Sequence, residues 1–225
     1  RTKLAITHYL RVLIFIMKLW FTKGVWVRRN VKKKIENLSY ADIKSIAILR
    51  HAALGDMVLT RCFIIEARKL FPNASITLSV ISNYTRGIPE DLVDRVHIIH
   101  GTNQRNTPLG KRIKKIRELG YHDFIFDLAA GNRSFFTCLL TPAILKFGFP
   151  YRMIRSWMFY DITTCRSDLN FEVSDMLNML QVLGAKTEYP HIYNMPGKAI
   201  QREKPYVVYF AGASMAEKCW PRERF

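Results

Sequence analysis

The fold is decided by residues Ser45–Leu70, which read SIAILRHAALGDMVLTRCFIIEARKL. The short apolar run at its start, Ile46–Leu49, is typical of a parallel strand that is covered on both faces. Apolar residues resume with helical spacing after Leu54-Gly55-Asp56, so the pattern predicts a strand, a tight turn and a helix. Asp56 therefore lies where the strand ends and the helix begins. Ligands of open α/β sheets bind at this edge of the sheet.

Strands and helices continue to alternate beyond this unit. Further strands are predicted at Ser75–Ile81, Arg95–Ile99, Phe124–Leu128 and Ile144–Phe149, and further helices at Leu109–Leu119, Ser134–Leu140, Arg152–Tyr160 and Phe171–Leu183. Gly120 and Gly184 are the expected ends of two of these helices. The alternation favours an α/β fold with a doubly wound, mostly parallel, Rossmann-like sheet.

The sequence suggests four segments. They are a basic amphipathic N-terminal arm at 1–40, the α/β domain at 41–184, a linker at 185–204 that contains proline and glycine but little periodicity, and the start of a second domain at 205–225. Tyr206–Phe210 is predicted to be the first strand of a second sheet. We expect the chain to be a fragment of a longer protein, and we expect its second-domain segment to be poorly packed.

The positive charge is concentrated at the N-terminus. The chain carries a formal charge of +17, and its first 34 residues contain ten basic residues and no acidic one. Apolar residues in 4–35 have helical spacing, but their longest run is far shorter than the roughly 20 residues of a membrane-spanning helix. The pattern favours an amphipathic helix that lies on an anionic membrane surface. Two alternatives remain: a helix packed on the domain or on another subunit, and a nucleic-acid-binding arm, although no nucleic-acid reader motif is present.

Cysteine and histidine spacing argues against a metal site. Cys62, Cys138, Cys165 and Cys219 are far apart, two of them in apolar helical contexts, which predicts buried thiols in a reducing compartment. The six histidines form no ligand pair, so we expect no metal. The glycine motifs of dinucleotide-binding, P-loop and hydrolase proteins are also absent, which disfavours a nucleotide-dependent oxidoreductase.

Four blocks of sequence resemble the bacterial lipopolysaccharide heptosyltransferases of glycosyltransferase family nine. The blocks are HAALGDMVLTRCFIIEARKLFPNASITLSVI at 51–81, DFIFDLAAGNRSFFTCLL at 123–140, KFGFPYRMIRS at 146–156 and YVVYFAGASMAEKCWPRERF at 206–225. They occur in the family's order and cover the chain from Ser45 onward, but not the arm. The resemblance implies the N-terminal half of a GT-B architecture, truncated early in its C-terminal domain.

The resemblance also implies a reaction. A family member transfers a heptose or related sugar from an ADP-sugar to the lipopolysaccharide core, with inversion and without a metal, on the cytoplasmic face of the bacterial inner membrane. The nucleotide sugar, ADP-heptose, is a substrate, so we expect no cofactor. The fragment alone is expected to be inactive, because most of the donor domain is missing. The alternative function is a non-catalytic, membrane-associated binding module that keeps the sheet.

Asp56 is the candidate catalytic residue. Inverting transfer needs a base that takes the proton from the attacking hydroxyl, and a carboxylate at a strand-end turn is well placed for this. The competing interpretation is that Asp56 only caps the helix. Gly55 is expected to let the turn approach the acceptor closely, although it could equally be a turn residue with positive φ. Asp127, at the end of a buried strand, is expected to be structural.

Four further residues are candidates for substrate binding. Arg133 and Arg155 are expected to pair with carboxylates or phosphates of an acidic acceptor, because arginine offers a bidentate fork. The competing interpretation is that both are solvated loop residues. Ser214 and Lys218 resemble the family's site for the donor's phosphates, where a lysine suits a diphosphate as a point charge.

Overall fold

The computed structural model describes residues 26–28, 30–150, 160–197, 202–210, 212–213 and 216–224. The chain divides into two compact units, Arg1–Asn194 and Met195–Phe225. In the first unit, strands alternate with helices along the chain. In the second, the described residues form two short 3-10 helices, Ala216–Lys218 and Arg222–Arg224.

The first unit is built on a sheet of seven strands within the described residues. In chain order they are β1 Trp26–Val27, β2 Ser45–Leu49, β3 Ser75–Ile81, β4 Arg95–Ile99, β5 His122–Asp127, β6 Ala143–Gly148 and β7 Ile162–Thr163. Their spatial order is β1-β7-β6-β5-β2-β3-β4. The pair β1–β7 is antiparallel and the other five pairs are parallel, which confirms the predicted α/β sheet.

Five α-helices accompany the described strands. They are α1 Val31–Glu36, α2 Leu54–Leu70, α3 Leu109–Arg117, α4 Asn132–Leu140 and α5 Glu172–Gln181, and short 3-10 helices lie at Tyr40–Asp42 and Thr102–Gln104. Gly120 and Gly184, soon after α3 and α5, have φ of +82° and +91°. These left-handed conformations confirm that the two glycines terminate the preceding helices. Across the described ranges, we find no helix with the length and apolarity needed to cross a bilayer.

Strand alternation divides the core between the two faces of the sheet. Ile46 and Ile48 of β2 point to the face covered by α2 and α5, which pack against each other. Ala47 and Leu49 point to the opposite face, together with Phe135 of α4. Phe124, Phe126 and Phe147 lie on the first face and pack against one another there.

The strand order reverses between β2 and β5. From β2 the chain moves outward through β3 to β4, and it then returns to β5 on the other side of β2 before moving outward through β6 to β7. The carboxyl ends of β2 and β5 are neighbours, since Leu49 pairs with Asp127. This is the topological switch point at which open α/β sheets bind their ligands.

Part of the N-terminal arm differs from the prediction. A single helix was expected through residue 35, but Trp26–Val27 form an edge strand that pairs with Ile162 and Thr163. The next helix, α1, is separate and buries Val31. Two strand residues are too few to give a period in the sequence, and the open edge of β7 supplies their hydrogen-bond partner. Residues 1–25 and 29 of the arm, and residues 152–159 of the helix predicted at Arg152–Tyr160, lie outside the described residues.

The second unit also differs from the prediction. Tyr206–Phe210 forms no strand ladder with any described residue, and its side chains are 59% to 92% exposed. The prediction of a strand here is therefore wrong in this structure. A strand needs a neighbouring strand that pairs with its backbone N–H and C=O groups. A segment of residues that favour strands does not form one without such a neighbour.

Candidate functional site

Asp56 is the third residue of α2, at the carboxyl end of β2. Its Oδ2 accepts a hydrogen bond from the backbone N–H of Ala53, which precedes the helix, at 3.1 Å. The predicted capping role is thus present, and the negative charge is favourable at a helix N-terminus. The side chain is nevertheless 38% exposed. A Cβ added at Gly55 would meet no atom within 4 Å, so the turn faces open space.

Arg50, the first residue after β2, joins Asp56 to two other elements. Its Nη2 lies 3.1 Å from Asp56 Oδ1 and 3.0 Å from Glu172 Oε1, at the start of α5. Its Nη1 donates to the carbonyl of Leu128, after β5, at 2.8 Å. The Arg50 side chain is only 3% exposed. One buried guanidinium therefore connects both sides of the switch point and two helix N-termini.

Glu172 binds a second arginine as well. Arg166 Nη2 lies 3.0 Å from the same Glu172 Oε1 that Arg50 contacts. Asp175, one turn further along α5, is buried and accepts hydrogen bonds from Ser167 N–H and Asn170 Nδ2. These contacts fix the loop before α5, so that Glu172 is held beside the guanidinium of Arg50.

Asp127, at the end of β5, is fully buried. Its Oδ1 accepts hydrogen bonds from the backbone N–H groups of Ala129 and Ala130, each at 2.8 Å, and its Oδ2 accepts one from the hydroxyl of Tyr160. Burial raises the pKa of Asp127. The carboxyl group shapes the turn into α4, where Ala130 has a φ of +47°. This arrangement agrees with the structural role expected for Asp127.

On the opposite face of the sheet, Arg133 and His51 lie close enough to interact electrostatically. Arg133 is exposed in the first turn of α4, which follows β5. His51 follows Arg50 and is partly exposed as a residue, but both of its ring nitrogens are buried without a hydrogen-bond partner among the described residues. Burial first, and then the charge of Arg133, lower the pKa of His51 to about 3. His51 is therefore a neutral imidazole at ordinary pH.

The structure thus brings three of the predicted site residues to the switch point: Asp56, Gly55 and Arg133. The alternative for Gly55, a positive φ, does not occur. Arg155 and Ser214 lie outside the described residues. Lys218 is exposed at the end of the short 3-10 helix in the second unit. Among the described residues, no cluster of three or more histidine, cysteine, aspartate or glutamate side chains could hold a metal ion.

Arg50, His51 and Glu172 were missed from the sequence. A signal was present for Arg50, because it is a charged residue directly after a fully apolar strand and shortly before an aspartate. A buried arginine needs carboxylate partners, and Asp56 was the nearest one along the chain. Glu172 gave no such signal, since it is 122 residues away from Arg50 in sequence.

Comparison with solved structures identifies similar folds. The structure of E. coli heptosyltransferase WaaC with ADP-2-deoxy-2-fluoro heptose matches with a TM-score of 0.62 and 18% identity, covering 80% of this chain and 62% of that one. A glycosyl transferase family 9 protein from Veillonella parvula matches with a TM-score of 0.60 and 20% identity, covering 84% of this chain and 58% of that one. E. coli WaaC with ADP matches with a TM-score of 0.55 and 17% identity, covering 67% of this chain and 50% of that one.

These matches are similarities of three-dimensional structure, not of sequence. No family model matches the sequence, and no curated protein sequence matches it. The chain spans between 50% and 62% of the length of the three solved structures. Together with the parallel sheet and its switch point, the matches show that this chain has the fold of the heptosyltransferases of glycosyltransferase family 9.

Proposed function

We propose that this chain is the acceptor-binding part of a glycosyltransferase that moves a heptose or related sugar from an ADP-sugar to the lipopolysaccharide core. The observation that supports this most strongly is the placement of Asp56. Its carboxylate is partly exposed at the switch point of the sheet, and the turn that carries it faces open space. Ligands of such sheets bind at this position.

In the proposed reaction, Asp56 is the general base. The acceptor hydroxyl attacks the anomeric carbon of the donor from the side opposite the leaving group, which inverts the configuration. The bond between that carbon and the diphosphate oxygen breaks as the new glycosidic bond forms, and the hydroxyl proton passes to Asp56. The hydrogen bonds from Arg50 and Ala53 use one lone pair on each oxygen, so further lone pairs remain for the acceptor.

The remaining candidate residues are proposed to bind the two substrates. Arg133 and Arg155 bind acidic groups of the acceptor, for which a guanidinium is suited, and Gly55 leaves space for its approach. Ser214 and Lys218 bind the diphosphate of the donor. The two WaaC structures contain ADP and an ADP-heptose analogue, which supports a nucleotide sugar as the donor. The proposed reaction needs no metal and no cofactor.

We place the protein on the cytoplasmic face of the inner membrane, where a lipid-linked acceptor is accessible. The basic residues of 4–35 are proposed to contact anionic headgroups. Flotation of the intact protein with vesicles tests this. Recovery with anionic vesicles should exceed recovery with neutral ones and should fall when the salt concentration is raised. Equal recovery with both kinds of vesicle would contradict electrostatic docking.

The activity is tested with the full-length natural protein. It is incubated with ADP-heptose and a heptose-free lipopolysaccharide core, and the product is identified by mass spectrometry and by the anomeric configuration in NMR. We expect a product with inverted configuration, formed equally well with and without EDTA. Acceptor binding without any product would instead support the non-catalytic binding module.

A further inference from the structure

We propose that Arg50 is a positioning residue that fixes the carboxylate of Asp56, and that Glu172 is the partner that sets how much of the Arg50 charge Asp56 receives. This inference rests on the proposed function, because it assigns the two residues a role through the base. It goes beyond that function, because neither residue belongs to the predicted site.

The first argument is the cost of burying Arg50. An unpaired guanidinium at 3% exposure would be strongly destabilising, so its partners must compensate for the lost hydration. Two of the three partners are carboxylates at the edge of the site, Asp56 and Glu172, which are 38% and 27% exposed. The buried guanidinium of Arg50 therefore contacts two partly exposed carboxylates beside the open side of the turn at Gly55.

The second argument is the geometry around Asp56. Arg50 holds Oδ1 at 3.1 Å and the N–H of Ala53 holds Oδ2 at 3.1 Å, so each carboxylate oxygen has a fixed donor. Rotation of the carboxylate would break at least one of these hydrogen bonds. A lysine at position 50 could not replace the arginine, because a single ammonium group cannot span Asp56, Glu172 and the carbonyl of Leu128 as the planar guanidinium does.

The third argument is the arrangement of charge. Arg50 faces Asp56 from the end of β2, Glu172 faces the same guanidinium from α5, and Arg166 binds Glu172 from the loop before α5. On the β5 side, Arg133 lies near the neutral His51. The Nη2 atom of Arg50 contacts both carboxylates. The negative charge of Glu172 therefore offsets part of the positive charge that would otherwise act on Asp56. A base that receives less positive charge accepts a proton more readily.

The experiment compares Arg50→Lys, Glu172→Gln and Asp56→Asn with the unchanged full-length natural protein. Asp42→Asn is the matched control, because Asp42 is exposed in the 3-10 helix before the amino end of β2. Each variant is measured for kcat, for the acceptor KM, for the pH dependence of kcat and for its free energy of unfolding.

We expect Arg50→Lys to lower kcat by about 10- to 100-fold while the acceptor KM stays within about twofold, because the base is misplaced but the acceptor site is intact. Glu172→Gln keeps a hydrogen-bond acceptor but removes the negative charge, so Arg50 acts on Asp56 alone. We expect the acid limb of the kcat profile to move to lower pH in this variant. Asp42→Asn should match the unchanged protein in all four measurements.

Two results would overturn the inference. One is an Arg50→Lys protein whose folded fraction turns over at the original rate. The other is a Glu172→Gln profile that superimposes on the original one, and this second test stays decisive if Arg50→Lys fails to fold. The proposed function fails separately: if Asp56→Asn turns over normally, the base itself is wrongly assigned, whatever the other variants do.

Discussion

Arg50 and Asp56 are six residues apart in sequence and form an ion pair of 3.1 Å between Nη2 and Oδ1. The pair joins the end of β2 to the first turn of α2, so the position of the carboxylate depends on the sheet as well as on its own helix. The same guanidinium reaches the carbonyl of Leu128, after β5. The proposed base is therefore anchored at the point where the strand order reverses.

The first prediction concerns the pH dependence of stability at His51. Its pKa is about 3 in the folded protein, lowered by burial and by Arg133 and His97, and near 6.5 in the unfolded chain. The unfolded chain therefore binds the proton first as the pH falls. Stability from this group is complete above pH 6.5 and is lost progressively as the pH falls from 6.5 toward 3, by at most about 1.4 kcal/mol per pH unit.

The His51 prediction is checked by urea unfolding of the protein and of His51→Phe between pH 8 and pH 5. The variant should lose less stability over this range. Burial also lowers the pKa of His97 and His122, but both residues remain in the variant, so the difference between the two curves isolates His51. Parallel curves would contradict the prediction.

The second prediction concerns the hydroxyl of Tyr160, which donates a hydrogen bond to Asp127. Tyr160→Phe leaves a buried carboxyl oxygen without this donor, and we expect a loss of about 1–3 kcal/mol in the free energy of unfolding. The pKa of Asp127 is raised by burial, so its contribution to stability is full at low pH and is lost as the pH rises through the folded pKa. The Tyr160 hydroxyl donates to the ionised carboxylate of Asp127, so its removal should raise the pKa of Asp127 further.

The cost of Tyr160→Phe should therefore be larger at pH 7 than at pH 4. Chemical denaturation at the two pH values measures the difference. An equal cost at both would mean that the hydroxyl does not stabilise the ionised carboxylate.

The third prediction concerns Gly148, at the end of β6. A Cβ at this position would lie 2.4 to 2.6 Å from ring atoms of the buried Tyr160. Gly148→Ala should therefore destabilise the protein by about 1–3 kcal/mol, because the ring cannot move without disturbing the core. Gly110→Ala is the control, since Gly110 is helical and its Cβ would meet nothing within 4 Å. That variant should gain about 0.5–1 kcal/mol. Thermal unfolding of both proteins gives the comparison, and a tolerated Gly148→Ala would contradict the packing described here.

The fourth prediction concerns Arg61 of α2, which anchors the end of the first unit. Its guanidinium forms two hydrogen bonds with Asp91, at 2.7 and 2.6 Å, and donates to the carbonyls of Tyr193 and Asn194. Arg61→Met should release this segment, speed proteolysis near residues 185–197 and cost about 1–3 kcal/mol of stability. Lys32→Met is the control, because the Lys32–Glu36 pair is exposed and 3.9 Å long, so its loss should cost less than about 1 kcal/mol. Unchanged proteolysis of Arg61→Met would contradict the anchoring role.

Strands β2 to β6 were predictable because each contains several apolar or β-branched residues. β3 and β4 begin and end where the sequence predicts, and β5 and β6 differ by one or two residues at their ends. β3 and β5 are almost fully buried, so their hydrophobic pattern follows the backbone directly, whereas β4 keeps Arg95 and Ile98 exposed. β1 and β7 were missed because each has two residues, and a pair formed by segments so far apart leaves no period in the sequence.

The candidate site was only partly predictable, for a related reason. Asp56 and Arg133 could be found because each lies in the first turn of the helix that follows a predicted strand, and parallel topology brings such turns to the same edge of the sheet. Glu172 reaches the site only because α5 packs on α2, and the sequence pattern does not determine the orientation of that packing. The capping and catalytic interpretations of Asp56 also proved compatible, since one oxygen caps the helix while the side chain stays partly exposed.

The most direct test of the central claim is the single-turnover rate of sugar transfer by Asp56→Asn in the full-length natural protein, with saturating donor and acceptor. The account predicts a fall of about 100-fold or more with acceptor binding and unfolding free energy nearly unchanged, because only the proton acceptor is lost. Asp42→Asn should transfer at the original rate. An Asp56→Asn protein that transfers sugar as fast as this control would contradict the assignment of Asp56 as the base.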